Sequence, residues 1–220
     1  MSGLAVIVAE RAALVRERIA RSGGRDVDIV AVTKGFGPEA IEAAWAAGLT
    51  RIGENYAQET IPKVRAAAER GATPEVHFIG QLQSNKVKVL VPVVRVWETV
   101  DRTNLVDELA RRAPGARVLV QLDSTGEPGK GGCSLADLDG LVDRARSAQL
   151  RVEGLMTVGP TDGDPAVPRA AVRITRAALD RLGLSVCSMG MSGDLEIAVE
   201  EGATLVRVGT ALFGARSHSH

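Results

Sequence analysis

Eight short apolar runs alternate with amphipathic stretches along most of this chain, and that alternation restricts the fold more than any single residue does. The runs are Asp28–Lys34, Thr50–Gly53, Glu75–Gly80, Arg95–Val100, Arg117–Asp123, Val152–Thr157, Leu184–Met189 and Leu205–Gly209. Between them, apolar residues recur at helical spacing over 38–47, 57–70, 83–91, 103–113, 134–148, 165–182 and 193–201. A leading helix is predicted over residues 4–20, with Leu4, Ile7, Val8, Leu14, Val15 and Ile19 on its apolar positions and Ser22-Gly23-Gly24 to end it. Runs such as Val118-Leu119-Val120 read as strands buried on both faces, as in a parallel sheet. Eight β/α units predict an α/β fold, a closed (β/α)8 barrel with an extra N-terminal helix. A doubly wound open sheet is the alternative, although no GxGxxG follows the first run. No linker or composition shift divides the 220 residues. They are read as one domain, with a core over about 4–214 and a disordered tail at 215–220. Thr103 is a predicted N-cap, and Ser134 to Asp137 resembles a capping box.

Lysine plus arginine equals aspartate plus glutamate, for a formal net charge of zero. That speaks against a nucleic-acid or membrane-surface role. Only three Phe, two Trp and one Tyr are present, too few for a base-stacking surface. Cys133 and Cys187 show no metal-like spacing, and no metal is expected. No segment has the length of a membrane span, and no signal-peptide pattern opens the chain, so a cytoplasmic protein is expected.

In a (β/α)8 barrel the active face lies at the C-terminal ends of the strands. Polar or small residues collect there: Lys34, Glu54 with Asn55, Gly80 with Gln81, Asp123, Met156 with Thr157, Met189 to Ser192, and Gly209 with Thr210. Lys34 ends an apolar run and precedes Gly35-Phe36-Gly37-Pro38. An ammonium held out of water there is expected to lose pKa, as a Schiff-base lysine requires, since only the neutral amine attacks an aldehyde. The plain alternative is a lysine that snorkels to solvent. Ser192 is predicted at the N-cap of the helix after the seventh run, where free N–H groups favour a phosphate. Gly209 permits close backbone approach and Thr210 adds a hydroxyl, in the loop that barrels commonly use for the same purpose. Arg207 shares the strand face of Gly209 and is expected at the barrel mouth, or else salt-bridged inside the barrel. His77 reads as a hydrogen-bonded structural residue. Asp123 orients a polar group or satisfies loop amides. The glycine-rich stretch 126–132 lacks the Walker pattern and reads as a mobile loop over the mouth.

Six stretches together resemble a known family. They are Ala31-Val32-Thr33-Lys34, Gly53-Glu54-Asn55-Tyr56-Ala57-Gln58-Glu59, His77-Phe78-Ile79-Gly80-Gln81-Leu82-Gln83-Ser84-Asn85-Lys86, Gly154-Leu155-Met156-Thr157, Ser188-Met189-Gly190-Met191-Ser192 and Val206 to Gly214. The chain resembles the pyridoxal phosphate homeostasis proteins, single-domain relatives of the alanine racemase N-terminal barrel, from about Leu4 to Gly214. The resemblance implies that Lys34 carries pyridoxal 5'-phosphate (PLP) as a Schiff base, and that Ser192, Gly209 and Thr210 bind its phosphate. It further implies that Arg207 faces the pyridine nitrogen, while Asn55 and Met156 line the pocket. Many members carry a second lysine two residues after the first, then proline. Here Phe36 and Gly37 stand at those positions and the proline is Pro38.

An arginine beside the ring nitrogen disfavours its protonation and weakens carbanion stabilisation. Alanine racemase adds a catalytic tyrosine from a second domain, which is not expected here. The only tyrosine, Tyr56, does not stand where such a base would. The expectation is therefore a non-catalytic PLP carrier in vitamin B6 homeostasis, a monomer or weak dimer, with PLP-dependent apo-enzymes as recipients. A weak amino-acid racemase is the alternative, and an aldolase-like Schiff base to substrate a more distant one.

Overall fold

The structure is a computed structural model that describes residues 2–127, 129–160 and 166–215, the last stretch with side chains from residue 168. From residue 216 on, the expected tail lies outside the described residues, as do Pro128 of the glycine-rich loop and residue 165 of the predicted seventh helix.

The chain begins with α1 (Gly3–Arg21), then β1 (Asp28–Val32), α2 (Pro38–Ala46), β2 (Arg51–Glu54), α3 (Ala57–Glu69), β3 (Glu75–Phe78) and α4 (Ser84–Leu90). It continues through β4 (Val96–Val100), α5 (Thr103–Arg112), β5 (Arg117–Gln121), α6 (Leu138–Ser147) and β6 (Arg151–Met156). The last third holds α7 (Ala166–Arg181), β7 (Val186–Ser188), α8 (Leu195–Glu200), β8 (Leu205–Val208) and α9 (Thr210–Phe213). The eight strands close in sequence order into one barrel, and every strand pair is parallel. This is the (β/α)8 barrel, and the open-sheet alternative is excluded.

Strand period sorts each run into two faces. Ile29, Ala31, Ile52, Val76, Phe78 and Trp97 belong to the large core, together with helix residues such as Ile41, Leu109 and Leu138. Phe78 and Trp97 meet there at a ring separation of 6.4 Å. The opposite strand face supplies a smaller cluster of Val96, Leu119 and Met156, flanked by Val158 and Val186. That second cluster fills the barrel interior, which is a packed core and not a channel. Helix α1 packs against α2, α8 and α9, so it covers the seam between the first and last units.

The predicted runs outlast the strands at their C-terminal ends. Thr33 and Lys34, Ile79 and Gly80, Leu122 and Asp123, and Met189 all lie beyond the sheet, where the chain turns toward its next helix. Two predicted caps are corrected. Helix α5 takes Arg102 as its N-cap, because extended backbone persists through Arg102 and Thr103 is already the first helical residue. Ser134 Oγ accepts from Asp137 N at 3.2 Å and donates to Asp137 Oδ2 at 2.6 Å. Those bonds close a turn, and α6 starts only afterwards at Leu138. The short α9 was not predicted. Among the described residues no helix is long and apolar enough to cross a membrane.

Gly154 marks the tightest approach among the described glycines. It pairs with Val186 of β7, and a Cβ built on it would lie 1.8 Å from the Val186 carbonyl oxygen. The β5–β6 register also shifts just beside it. Gly154→Ala is expected to lower stability by about 2 kcal/mol or more through overpacking of backbone on side chain. Urea unfolding checks this, and an unchanged midpoint would show that β6 and β7 separate freely.

Candidate functional site

A pocket of about 520 Å³ opens at the C-terminal ends of the strands, lined by Lys34, Asn55, Met156, Ser192, Arg207, Gly209 and Thr210 among others. All seven candidate residues therefore meet in one place, although they come from five different βα units.

Lys34 is partly buried in the turn after β1. That turn is held from several directions. Gly35 adopts φ +72°, which few other residues accept, and its N–H donates to Glu59 Oε2 at 3.1 Å. Phe36 N donates to Thr33 O at 3.2 Å. The buried Lys63 Nζ donates to the same Thr33 carbonyl at 2.8 Å and pairs with Glu54 Oε1 at 2.7 Å. Thr33 Oγ1 in turn donates to Glu54. Burial pushes the Glu54 carboxyl above its ordinary value, against the charge of Lys63. A buried lysine and a buried carboxylate thus grip the residue immediately before Lys34. Phe36 does not line the pocket. Its ring packs on Phe213 at 5.4 Å and ties the Lys34 turn to α9.

Ser192 is not the predicted N-cap. Asp194 holds that position on α8, and its Oδ1 accepts from Met191 N at 2.6 Å. Ser192 Oγ instead accepts from Ala211 N at 3.2 Å. The serine loop and the first turn of α9 are thereby joined, and Gly209 and Thr210 lie beside Ser192 on one wall. Ala211 N is engaged by Ser192 and Leu212 N by Gly209 O, so what this wall offers an anion is the Ser192 and Thr210 hydroxyls beside the side-chain-free Gly209.

Arg207 forms the floor of that wall. It is only 4 % exposed, and Nη1 donates to Ser188 Oγ at 2.7 Å while Nη2 donates to Thr157 O at 2.6 Å. Burial pulls its guanidinium below the usual value, with the charge of Glu98 opposing that effect. Neither sequence alternative for Arg207 describes it fully. It reaches the mouth, and it meets an interior carboxylate only through a serine.

Below Arg207 lies a buried cluster. Glu98 accepts from Ser188 Oγ at 2.6 Å and meets His77 Nδ1 at 2.5 Å. His77 Nε2 meets Glu75 Oε1 at 3.1 Å. Burial would lower His77, but hydrogen bonds and charge from Glu75 and Glu98 outweigh it and raise the imidazole above its ordinary value. Burial would raise Glu98, but His77, Arg207 and Ser188 together hold it low. The hydrogen bond from His77 brings Glu75 down to about 2, with Arg117 adding to it against burial.

Over the mouth, Gln81 Nε2 donates to Gly129 O at 3.0 Å and Gln121 Nε2 to Lys130 O at 3.1 Å. The glycine-rich loop is thus strapped across the pocket by two side-chain amides, and Lys130 Nζ donates to Gly159 O at 2.5 Å. Asp123 satisfies loop amides, accepting from Gly126 N at 2.8 Å and Thr125 N at 3.2 Å. Sequence reasoning missed Gln121, Lys130, Glu98 and Ser188. Glu98 and Gln121 did carry a signal, because each is a polar residue inside an otherwise apolar run.

Residues 8–217 match the family of the alanine racemase N-terminal domain. The chain is 40% identical over 229 residues to the pyridoxal phosphate homeostasis protein of Pseudomonas aeruginosa, covering 99% of this chain and 98% of that one. It is 36% identical over 234 residues to the protein of the same name from Escherichia coli strain K12, covering 96% and 98%. Among solved structures, PipY of Synechococcus elongatus with PLP bound matches with a TM-score of 0.84 at 32% identity, covering 94% of this chain and 100% of that one. The barrel and its mouth pocket thus belong to the alanine racemase N-terminal class, and within it the chain is a member of the pyridoxal phosphate homeostasis protein family.

The raised imidazole has a pH consequence. Its contribution to stability is complete below the ordinary histidine value of 6.5 and is lost as pH rises through the higher folded value. Glu75 works in the other direction, stabilising above the ordinary carboxylate value and losing that effect as pH falls toward about 2. Urea unfolding between about pH 5 and 9 should show stability declining on the alkaline side, and His77→Gln should remove that decline. Parallel curves for the two proteins would contradict a buried imidazolium.

Proposed function

We propose that the mouth pocket binds PLP, that Lys34 anchors it as a Schiff base, and that the protein is a non-catalytic carrier in intracellular vitamin B6 homeostasis. The carrying observation is the convergence in one pocket of a lysine on a braced turn, a wall of Ser192, Gly209 and Thr210 with two hydroxyls, and a buried arginine. The named functions of the relatives and the PLP held by PipY support the same reading.

The residues present fit the group. Asn55 Oδ1 and Gln121 Oε1 are buried at the pocket without a hydrogen-bond partner among the described residues. Buried acceptors of this kind call for a donor from something bound. PLP supplies an aldehyde that condenses reversibly with an amine, one C=N bond forming as one water leaves. Lys34 provides the amine, and its braced turn keeps that amine in one place. Ser192, Gly209 and Thr210 hold the phosphate. Met156, buried at the floor, and Asn55 line the ring. Arg207 would stand beside the ring nitrogen and, as a charged guanidinium, would disfavour a proton there.

The same residues favour carrying over catalysis. Only Lys34, Lys130 and Arg207 among the lining residues have titratable side chains. The Lys130 ammonium is engaged by Glu127 at 2.8 Å and by the Gly159 carbonyl. Tyr56 is the only tyrosine, is 47 % exposed and does not line the pocket. Among the described lining residues, a two-base proton exchange at an amino acid therefore lacks an evident second base. PLP-dependent apo-enzymes are the proposed recipients, and the protein is proposed to act as a monomer or weak dimer in the cytoplasm.

With PLP added, the native protein should show a yellow Schiff-base band, and Lys34→Ala should show none. Ser192→Ala should retain the band but weaken PLP binding by about tenfold, the loss expected for one hydrogen bond to a charged group. Sustained Lys34-dependent exchange of an amino acid's α-proton with deuterated solvent would favour the racemase instead.

A further inference from the structure

Glu98 has no place in the pocket, yet it is a carboxylate at 0 % exposure inside the barrel. It sits in a continuous hydrogen-bonded line that runs Arg207–Ser188–Glu98–His77–Glu75. Strand register makes the line climb. His77 pairs with Val96, so Glu98 lies one layer above it, and Ser188 pairs with Leu205, so Arg207 lies one layer above Ser188. At the bottom, His77 borders a second cavity of about 210 Å³ at the N-terminal ends of the strands, together with Arg51, Arg117 and Glu153. At the top, Arg207 borders the mouth pocket. One line of polar groups therefore joins the two faces of the barrel.

Filling the interior does not require it. Val96, Leu119 and Met156 fill the neighbouring space without charge, and apolar packing serves stability at least as well as buried ions. The direction of the bonds is more informative. Arginine can only donate, so Ser188 accepts from Arg207 and its single proton goes to Glu98. Both oxygens of Glu98 then accept, and His77, set between two carboxylates, donates from both nitrogens as an imidazolium. With Nη1 on Ser188 and Nη2 on Thr157 O, the plane of the guanidinium is fixed. Around the lower end, Arg51 pairs with Asp28 at 2.8 Å and Glu75 at 3.5 Å, and Arg117 pairs with Glu75 and with Glu153 at 2.7 Å. Glu75 is thus balanced from outside the line. The carboxylates whose charge acts on Arg207 are Glu98, reached through Ser188 and backed by His77, and Asp194 at the start of α8, which the variants leave unchanged.

We propose that Glu98 and His77 are positioning residues for Arg207, acting through Ser188 to fix both the orientation of its guanidinium and the net field it presents to the mouth pocket. This rests on the reading that the PLP ring lies beside Arg207.

The test compares the full-length native chain with Glu98→Gln, His77→Gln, the double variant and Ser188→Ala. The first readout is the pH midpoint at which the Schiff-base band of the PLP-loaded protein loses its proton. Removing the negative charge should lower that midpoint and removing the positive charge should raise it, each by about one pH unit, the size expected for one charge on the order of 10–15 Å away at an effective dielectric of about 20. The double variant should return close to the native value. The second readout needs no PLP: solvent exchange of the Arg207 side-chain N–H groups, followed by NMR, should quicken by about tenfold in Glu98→Gln and in Ser188→Ala. Ser188→Ala removes one hydroxyl only, so it tests the link even if a charge variant folds poorly. Midpoints that stay fixed or move the same way in both single variants, with Arg207 exchange as in the native chain, would overturn the proposal. Quickened Arg207 exchange in a chain with no Lys34-dependent band would uphold the positioning role and instead remove the PLP reading.

Discussion

Alternating charge inside a closed barrel is the constraint on which the site depends. Arg207, Glu98, His77, Glu75 and Arg117 follow one another in sign from the mouth to the opposite face, with Ser188 bridging the first pair. Each of these groups is costly to bury alone, and each is tolerable only because its neighbours are in place. Loss of one member leaves the next uncompensated. The strands that carry them are therefore held in register by electrostatics as well as by their ladders, and the guanidinium at the top has a single orientation.

A second buried pair does for Lys34 what this line does for Arg207. Lys63 and Glu54 come from α3 and β2, and both act on Thr33. Phe36 adds an apolar link across to Phe213, so the turn bearing Lys34 and the helix after Gly209 move together. Where many relatives are expected to place a second lysine, this chain has an aromatic brace. Packing on the outside of the pocket thus links the turn that carries the amine to the wall of Ser192, Gly209 and Thr210.

Much of this was legible in the sequence. The eight short apolar runs and the helical stretches between them specified a (β/α)8 barrel, and that fold states where a site must be. Lys34 stood out because a charge at the end of an apolar run needs a reason, and Arg207 because it shares the strand face of Gly209 at the barrel mouth. Ser192 was found for a reason that proved incorrect: it does not cap α8, but accepts from Ala211 in the adjacent loop. Glu98 and Gln121 were visible as polar residues in apolar runs and were passed over, because a strand buried on both faces does not say which face is the barrel interior. Lys130 was hidden in a loop whose path depends on two glutamine side chains far from it in sequence.

By itself, the sequence determined the order and type of the elements and the residues available at the strand ends, because those follow from local periodicity and from the cost of burying charge. Only the tertiary structure decided which of them meet. Barrel closure pairs β1 with β8 and so brings Lys34 and Arg207 to one pocket. It also aligns His77, Glu98, Ser188 and Arg207 through hydrogen bonds between strands three, four, seven and eight. No local rule contains that line, since each link is a contact between residues far apart in the chain whose energy exists only once the barrel has excluded water from its interior.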